Sequence, residues 1–506
     1  MTFAELATRF DRRPRLATLA LAAVVAFAFQ GSRGLYESTE GRYAESAFEM
    51  VRSGTYLEPT LAGRPHLTKP PLAYWTIAAG VRVAGPNGWG ARLSNAILFC
   101  LAVLVVSEIG AALWDRTTGV VAGLVYLSSP FPAAAAAVVS TDTLLAFLEL
   151  LAVWLYLRAR AVAGAPEERR WIRAMWVAWA LAFLTKGPPG LLPLVAILAF
   201  ERLSPRRVRL ADPLGLAGFV VVGFAWYAWE VASRPGMLRY FLADEVIGRV
   251  ATNEFHRNPE WWKPFAIYLP VLLLGQGAWF AFGARLLARE RLARPREVFA
   301  RVRRADVPGF LLLWLLVPLA VFWISSSRLP LYVLPLYAPI ALAVARVVVR
   351  TAEAAALRRT LAVALPSVLA IVLLKAGAAY AAPASKNDMR LLYDAARRAG
   401  GPAAEVRAFD ESKLYGLQYY LAGALRRVSP TGKEPWADER LDETIRTMSR
   451  ERDRTWVVVS PPSHAAELDA ALHAAGLSHR RVPAASRDLF VVPDVPATAD
   501  PLRSEP

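Results

Sequence analysis

Apolar stretches of roughly 15–24 residues recur along this chain from near its start to about residue 383. Each approaches the ~20 residues a helix needs to cross a hydrocarbon layer ~30 Å thick. In that layer every backbone polar group must find its partner inside the protein, so such runs are read as spanning helices. They lie at 16–31, 92–112, 117–137, 142–158, 171–186, 188–201, 213–233, 263–284, 308–325, 330–348 and 360–382. The first follows Arg9, Arg12, Arg13 and Arg15, as a secretory leader would. No small-residue cleavage site follows it, so it reads as a retained helix. The expected fold class is an α-helical polytopic membrane protein of about 11–13 spans.

The formal net charge of +17 would suit a nucleic-acid binder, but its placement argues against one. The arginines crowd short loops between apolar runs: Arg158, Arg160, Arg169, Arg170 and Arg173, then Arg202, Arg206, Arg207 and Arg209, then a cluster from Arg285 to Arg304. Short basic loops stay cytoplasmic. With the N-terminus inside, eleven crossings put all of these loops on that side. Anionic-lipid contact then follows as a by-product. A single cysteine, Cys100, excludes an intrachain disulfide, and five scattered histidines form no metal pattern.

The segments expected outside differ in texture. In loop 31–70, Tyr43, Ala47, Phe48 and Val51 recur at helical spacing with Glu45, Glu49 and Arg52 on other faces, which predicts an amphipathic interfacial helix. Residues 70–85 are apolar but short, and read as a second interfacial or re-entrant piece. Loop 234–262 is charge-balanced and holds His256. The transmembrane unit is placed at 1–383. Beyond it, strand-like runs (Val406–Phe409, Trp456–Ser460, Leu489–Val492) alternate with helix-like ones (Asp388–Arg398, Asp438–Glu451, His464–Ala475). This alternation predicts a small soluble α/β domain over 384–492, outside the cytoplasm, with a disordered tail at 493–506.

Candidate chemistry concentrates in residues 35–75, where Glu37 and Glu40 precede Arg42 and Tyr43, and Lys69 stands before two prolines. Carboxylates beside fixed cations at an interface suit deprotonation of an acceptor together with binding of a phosphate. Solvated charges on an interfacial helix would look the same. Asp142 opens an apolar helix, as a first-turn acid or a functional group at membrane depth. Lys186 could meet a phosphate or snorkel. Arg328 and Tyr332 are one helical turn apart at the mouth of a span and could grip a phosphate together; anchoring in an aromatic belt is the competing reading for Tyr332.

Order and spacing give these pieces a stronger meaning. The chain reads Thr39-Glu40-Gly41-Arg42-Tyr43-Ala44, then Arg52-Ser53-Gly54-Thr55-Tyr56, then Thr68-Lys69-Pro70-Pro71 with Tyr74-Trp75. Gly90-Ala91-Arg92, Asp142, Lys186-Gly187-Pro188, His256 and the run 325–337 follow in turn. Over residues 30–345 this resembles the polyprenyl-phosphate-dependent GT-C glycosyltransferases, the family of aminoarabinose transferases and protein O-mannosyltransferases. The resemblance implies an inverting enzyme that moves a sugar from a polyprenyl-phosphate carrier to a lipid, protein or envelope-glycan acceptor, outside the cytoplasm of a bacterial inner membrane. It implies Glu40, Glu37 and Asp142 as catalytic candidates. Arg42, Lys69, Arg328, Tyr332 and Lys186 become donor-phosphate ligands, and Tyr43, His66 and His256 substrate contacts. Two departures stand out: Thr39 replaces the Asp of the family's acidic pair, and Thr68 the Glu before Lys-Pro-Pro, with His66 where relatives have Tyr. A divalent metal, present in some relatives, stays open here, since Thr68 offers no carboxylate ligand. A lipid or solute transporter, or a silent glycolipid-binding relative, are the alternatives. A transporter would place its charges at the midplane of broken helices, whereas here they gather in outward loops.

Overall fold

The structure, a computed structural model, describes residues 10, 12–243, 258–289, 295–380, 385–484 and 486–494. The fold expected from hydropathy is present: a helical membrane bundle with a small sheet region near the C-terminus. Each apolar run is helical. The elements are α1 (Pro14–Phe27), the juxtamembrane pair α2 (Thr39–Ser53) and α3 (Leu72–Ala84), then α4 (Gly88–Leu113), α5 (Arg116–Leu127), α6 (Pro130–Ala136), α7 (Asp142–Ala161), α8 (Glu167–Lys186), α9 (Leu192–Leu203), α10 (Pro213–Ser233), α11 (Lys263–Leu274), α12 (Val307–Ile324), α13 (Tyr337–Ala352) and α14 (Ala356–Tyr380).

By length and composition alone, four described helical stretches can cross a membrane, or up to six if two bent pairs each count as one span. This is fewer than the eleven to thirteen expected, for local reasons. Pro130 turns α6 away from α5 by 65°, because proline removes a helix donor and clashes with the turn before it. Helices α7 and α8 are 20 residues each, long enough to cross, but charged residues at their ends dilute their apolar character. The bundle core is dense in aromatics, with Trp179, Trp279, Trp314, Tyr156 and Tyr337 almost wholly buried.

Beyond the bundle, six strands order as β5-β4-β3-β6-β8-β7: β3 (Glu405–Phe409), β4 (Arg426–Ser429), β5 (Glu439–Arg440), β6 (Trp456–Ser460), β7 (Arg480–Ala484) and β8 (Arg487–Val492). The first four in that order run parallel, and β8 pairs antiparallel with both β6 and β7. Helices α15 (Met389–Gly400), α16 (Tyr415–Tyr420), α17 (Leu441–Arg450) and α18 (Ala465–Ala474) accompany the sheet. The polar residues on β4, β5 and β7 gave no alternation in the sequence, so those strands were not anticipated. Of the tail, only Pro493 and Asp494 are described.

Helix α2 departs from the expected surface helix. Its acidic face is not solvated: Glu40, Glu45 and Glu49 are all buried. Helix α16 covers the side that carries Glu49, with Gln418 Nε2 3.5 Å from Glu49 Oε1 and Tyr419 edge-on to Phe48 at 5.4 Å, and its Gly416 N–H donates to Glu37 Oε2 at 2.9 Å just ahead of α2. The opposite side of α2 is pinned to the bundle through Glu40. Its two oxygens accept from Arg92 Nε and Nη2, both at 3.0 Å, from Arg33, and from the Val139 and Tyr36 N–H groups. Arg92, fully buried in α4, also donates to the carbonyls of Gln30, Arg33 and Gly34.

Burial alone would raise the Glu40 pKa, but the charges of Arg92 and Arg33 outweigh it and hold it at about 2, against an ordinary 4.5. A group whose folded pKa is depressed contributes stability above its unfolded pKa and loses it as the pH falls through the folded one. At 1.36 kcal/mol per unit this amounts to about 3 kcal/mol, lost as the pH falls from about 4.5 towards 2. Thermal unfolding across that window should therefore steepen in the wild type and flatten in Glu40→Gln. Equal slopes in the two proteins would dissociate Glu40 from acid lability.

Candidate active site

A cavity of about 530 Å3 opens among α8, α10, α12 and the segment that ends in Lys69. Its polar end is set by helix termini. Helices α7 and α8 are joined by a short loop and run antiparallel, so the first residue of one, Asp142, meets the last residue of the other, Lys186. An acid at a helix N-terminus and a base at a C-terminus each complement the helix dipole. Here they also pair directly, Lys186 Nζ lying 2.5 Å from Asp142 Oδ1. Gly187 at φ 73° and the prolines behind it end α8 at that point. Lys186 also sits 4.5 Å from the centre of the Tyr332 ring. Lys69 enters from the other side, buried, its ammonium donating to the Thr68 carbonyl at 2.6 Å. Ser325 and Ser327 complete the polar end.

Away from these groups the walls are apolar and mostly aromatic: Phe183, Phe224, Trp226, Tyr227, Phe241 and Phe322. The rings support one another, Tyr227 and Phe241 with centroids 5.0 Å apart and Phe183 and Tyr227 5.4 Å apart. Trp226 donates its indole N–H to the Leu57 carbonyl at 2.9 Å, which ties this wall to the loop after α2. A cavity with cations at one end and rings along its length suits an amphiphile with an anionic head and a hydrocarbon tail.

Of the residues singled out in the sequence, the structure gathers Lys69, Asp142, Lys186 and Tyr332 in this cavity. The others lie elsewhere. Glu40 lies outside this cavity, with both its oxygens accepting from Arg92, Arg33 and backbone N–H groups, and the two guanidinium charges hold its pKa low. Glu37 faces α16, and burial raises its pKa against the opposing Gly416 hydrogen bond. Arg42 lies 5.3 Å from the Tyr43 ring centre, and Tyr43 packs near Tyr74. His66 Nε2 is 3.1 Å from the Thr68 hydroxyl. Arg328 does not line the cavity; it donates to the carbonyls of Asn258, Glu260 and Trp323 and so braces the chain around residue 260. His256 lies outside the described residues. Among those described, no three His, Cys, Asp or Glu side chains gather as metal ligands would. Thr39 is exposed at the start of α2.

Sequence reasoning passed over Arg92 as a structural anchor and the rings of α10 as a wall. An arginine four residues into an apolar 26-residue helix was the available signal for the first. The aromatic wall gave none, since rings facing a cavity and rings facing lipid have the same composition.

Residues 68–229 match the family described as dolichyl-phosphate-mannose-protein mannosyltransferase. The undecaprenyl phosphate-alpha-4-amino-4-deoxy-L-arabinose arabinosyl transferase 2 of Pseudomonas fluorescens is 31% identical over 319 residues, covering 62% of this chain and 55% of that protein. The corresponding transferase of Yersinia enterocolitica is 31% identical over 325 residues, with the same coverage. The chain thus spans little more than half the length of these relatives. In fold it is similar to ArnT from Cupriavidus metallidurans bound to undecaprenyl phosphate, with a TM-score of 0.75, 19% identity, and 96% and 99% of the two chains covered. The Archaeoglobus fulgidus oligosaccharyltransferase is more distant, at a TM-score of 0.52 and 15% identity over 89% of this chain and 70% of that one. Motif order, relatives and architecture point the same way: the chain is similar over part of its sequence, and in fold over nearly all of it, to polyprenyl-phosphate-dependent GT-C membrane glycosyltransferases.

Proposed function

We propose that this protein transfers a sugar from a polyprenyl-phosphate carrier to an acceptor at the outer face of a bacterial inner membrane. The observation that carries the proposal is the cavity itself, with Lys69, Lys186 and Tyr332 at one end and an aromatic lining along the rest. The carrier's chain lies against Phe183, Phe224 and Tyr227, and its phosphate meets the two ammonium groups. As the glycosidic bond breaks, negative charge grows on the departing phosphate, and cations already in place stabilise it more than the ground state. Asp142 keeps Lys186 at the reacting end and is the only carboxylate lining this cavity among the described residues. It is therefore the base we assign for a hydroxyl acceptor, in place of Glu40, which becomes a positioning residue. Direct displacement by the acceptor inverts the anomeric centre. The relatives named as aminoarabinose transferases favour an undecaprenyl carrier.

Native mass spectrometry with undecaprenyl phosphate tests the donor site. Lys69→Ala and Lys186→Met should each weaken binding roughly ten- to a hundredfold, the loss of one hydrogen bond to a charged group. Wild-type affinity in both variants would remove the cations from the site. Asp142→Asn keeps the shape of the side chain but not its basicity. It should slow transfer by ~10²–10⁴-fold while leaving carrier binding within a few-fold of wild type. Unchanged turnover would mean that no base acts at this position.

Orientation is tested separately in a Cys100→Ser background. A cysteine at Thr431, in the α/β domain, should react with an impermeant thiol reagent from the outside, and one at Ala165, between α7 and α8, should not. The reverse pattern would place the cavity on the cytoplasmic side.

A further inference from the structure

Two carboxyl groups on α2 stand one helical turn apart, both enclosed, with too few cations between them. They are Glu45 and Glu49. Among the described residues a single cation is in ion-pair reach of the two: Arg52 Nη2 lies 3.3 Å from Glu45 and 4.0 Å from Glu49. That guanidinium is itself exposed and divided, since its Nη1 donates to the Ala422 carbonyl just past α16 at 2.6 Å.

The pair is also supplied unequally with donors. Glu49 accepts from the Thr60 hydroxyl at 2.6 Å and the Gly63 N–H at 3.2 Å, on the hairpin of β1 (Thr60–Leu61) and β2 (Arg64–Pro65), and from Gln418 of α16. Glu45 accepts from Arg52 through Oε1, but its Oε2 is sealed from solvent with no donor among the described residues. The Glu49 carboxyl lies within hydrogen-bonding reach of Glu45. A carboxylate can only accept, whereas a carboxylic acid has one O–H to give. The missing donor is therefore the acid's own proton, lying between the two groups. Burial and the neighbouring Glu49 charge raise the Glu45 pKa well above the ordinary 4.5, against the opposing fields of Arg52 and of Arg427 on β4.

These two acids sit where the outer elements meet. Phe48 and Glu49 pack against Tyr419 and Gln418 of α16, and the hairpin closes over Glu49 from the other side. Glu49 and Arg52 belong to the near wall of a cleft of about 1080 Å3, whose far wall is the N-terminal edge of β3, β4 and β5. We propose that a proton shared by Glu45 and Glu49 is a latch that holds the α/β domain on α2, and that the cleft between them loosens as the pH rises. Once the proton leaves, two carboxylates share one exposed arginine, and a buried charge without a full set of partners is too costly to stay covered. Helix α16 and the hairpin are the covers that open to hydrate it. The stability this proton supplies is fully present below the ordinary 4.5 and is lost as the pH rises through the higher value of the closed state. Glu40, which pins the other side of α2, titrates near 2 and stays charged throughout. Glu37, whose pKa burial also raises, meets the start of α16 at the Gly416 N–H and needs its own control.

Hydrogen exchange on the full-length protein in nanodiscs, corrected for the intrinsic pH dependence of amide exchange, reads the latch. In the wild type the opening of α16 should increase about tenfold per pH unit from about pH 5 to 7, the linkage of one released proton. Amides of the central strand β6 should not follow. In Glu45→Gln the side-chain amide supplies the donor without titrating, so this tenfold factor should vanish and α16 should stay as protected as in the wild type at the acid end. Glu49→Gln removes the like charge yet keeps an oxygen for Thr60 and Gly63, so it should weaken the slope too, and it carries the test if Glu45→Gln does not fold. Glu37→Gln should leave the factor in place. A wild-type α16 whose opening ignores pH, or a Glu45→Gln protein with the wild-type slope, would overturn the proposal. So would parallel opening of β6, which would make the change a global unfolding.

Discussion

One carboxylate buried between two guanidinium groups fixes how the juxtamembrane elements of this protein sit on its helical bundle. Glu40 binds Arg92 from within a long apolar helix and Arg33 from the preceding loop, and takes two backbone N–H groups as well. An unpaired charge at that depth would be costly, so the three side chains are stable only together. Their union sets the position of α2 against the bundle. On its other side helix α2 packs Phe48 and Glu49 against α16, so the α/β domain is docked through the same element. The segment leaving α2 then forms a wall of the cleft and ends at Lys69 in the first cavity.

The second organising constraint is the pairing of α7 with α8. Two helices of equal length joined by a short loop must bring opposite termini together, and opposite termini prefer opposite charges. Asp142 and Lys186 satisfy both demands at once. In the proposed reaction the same pair serves chemistry: Lys186 is held charged and oriented before the carrier arrives, so little reorganisation is needed as the phosphate gains charge. The aromatic wall adds apolar surface for a hydrocarbon tail beside a polar head site.

Much of this was legible in the sequence, and the parts that were not share a physical cause. The helices of the bundle follow from the apolar runs, and helix α2 from periodicity within loop 31–70. Asp142, Lys186, Lys69 and Tyr332 were identifiable because ionisable or hydroxyl groups at the ends of apolar runs are costly without a partner. What could not be read was which charged face would be covered. Glu40, Glu45 and Glu49 have the spacing of a solvated stripe, and only contact with Arg92 on one side and α16 on the other makes them buried. Arg328 failed in the same way: its spacing from Tyr332 suggested a shared ligand, but its guanidinium is spent on backbone carbonyls. Long-range partners decide such cases, and a single sequence does not display them.

The account turns on a polyprenyl phosphate lying in the cavity between Lys69 and the aromatic wall. Photo-crosslinking measures this directly, using an undecaprenyl phosphate analogue with a diazirine in its tail and peptide mapping of the adducts. The account predicts adducts on α8, α10 and α12, near Phe183, Tyr227 and Phe322, suppressed by excess undecaprenyl phosphate and much reduced in Lys69→Ala. Adducts confined to exposed apolar residues such as Leu369, Leu373 and Leu374 of α14, indifferent to competitor and to Lys69, would contradict it.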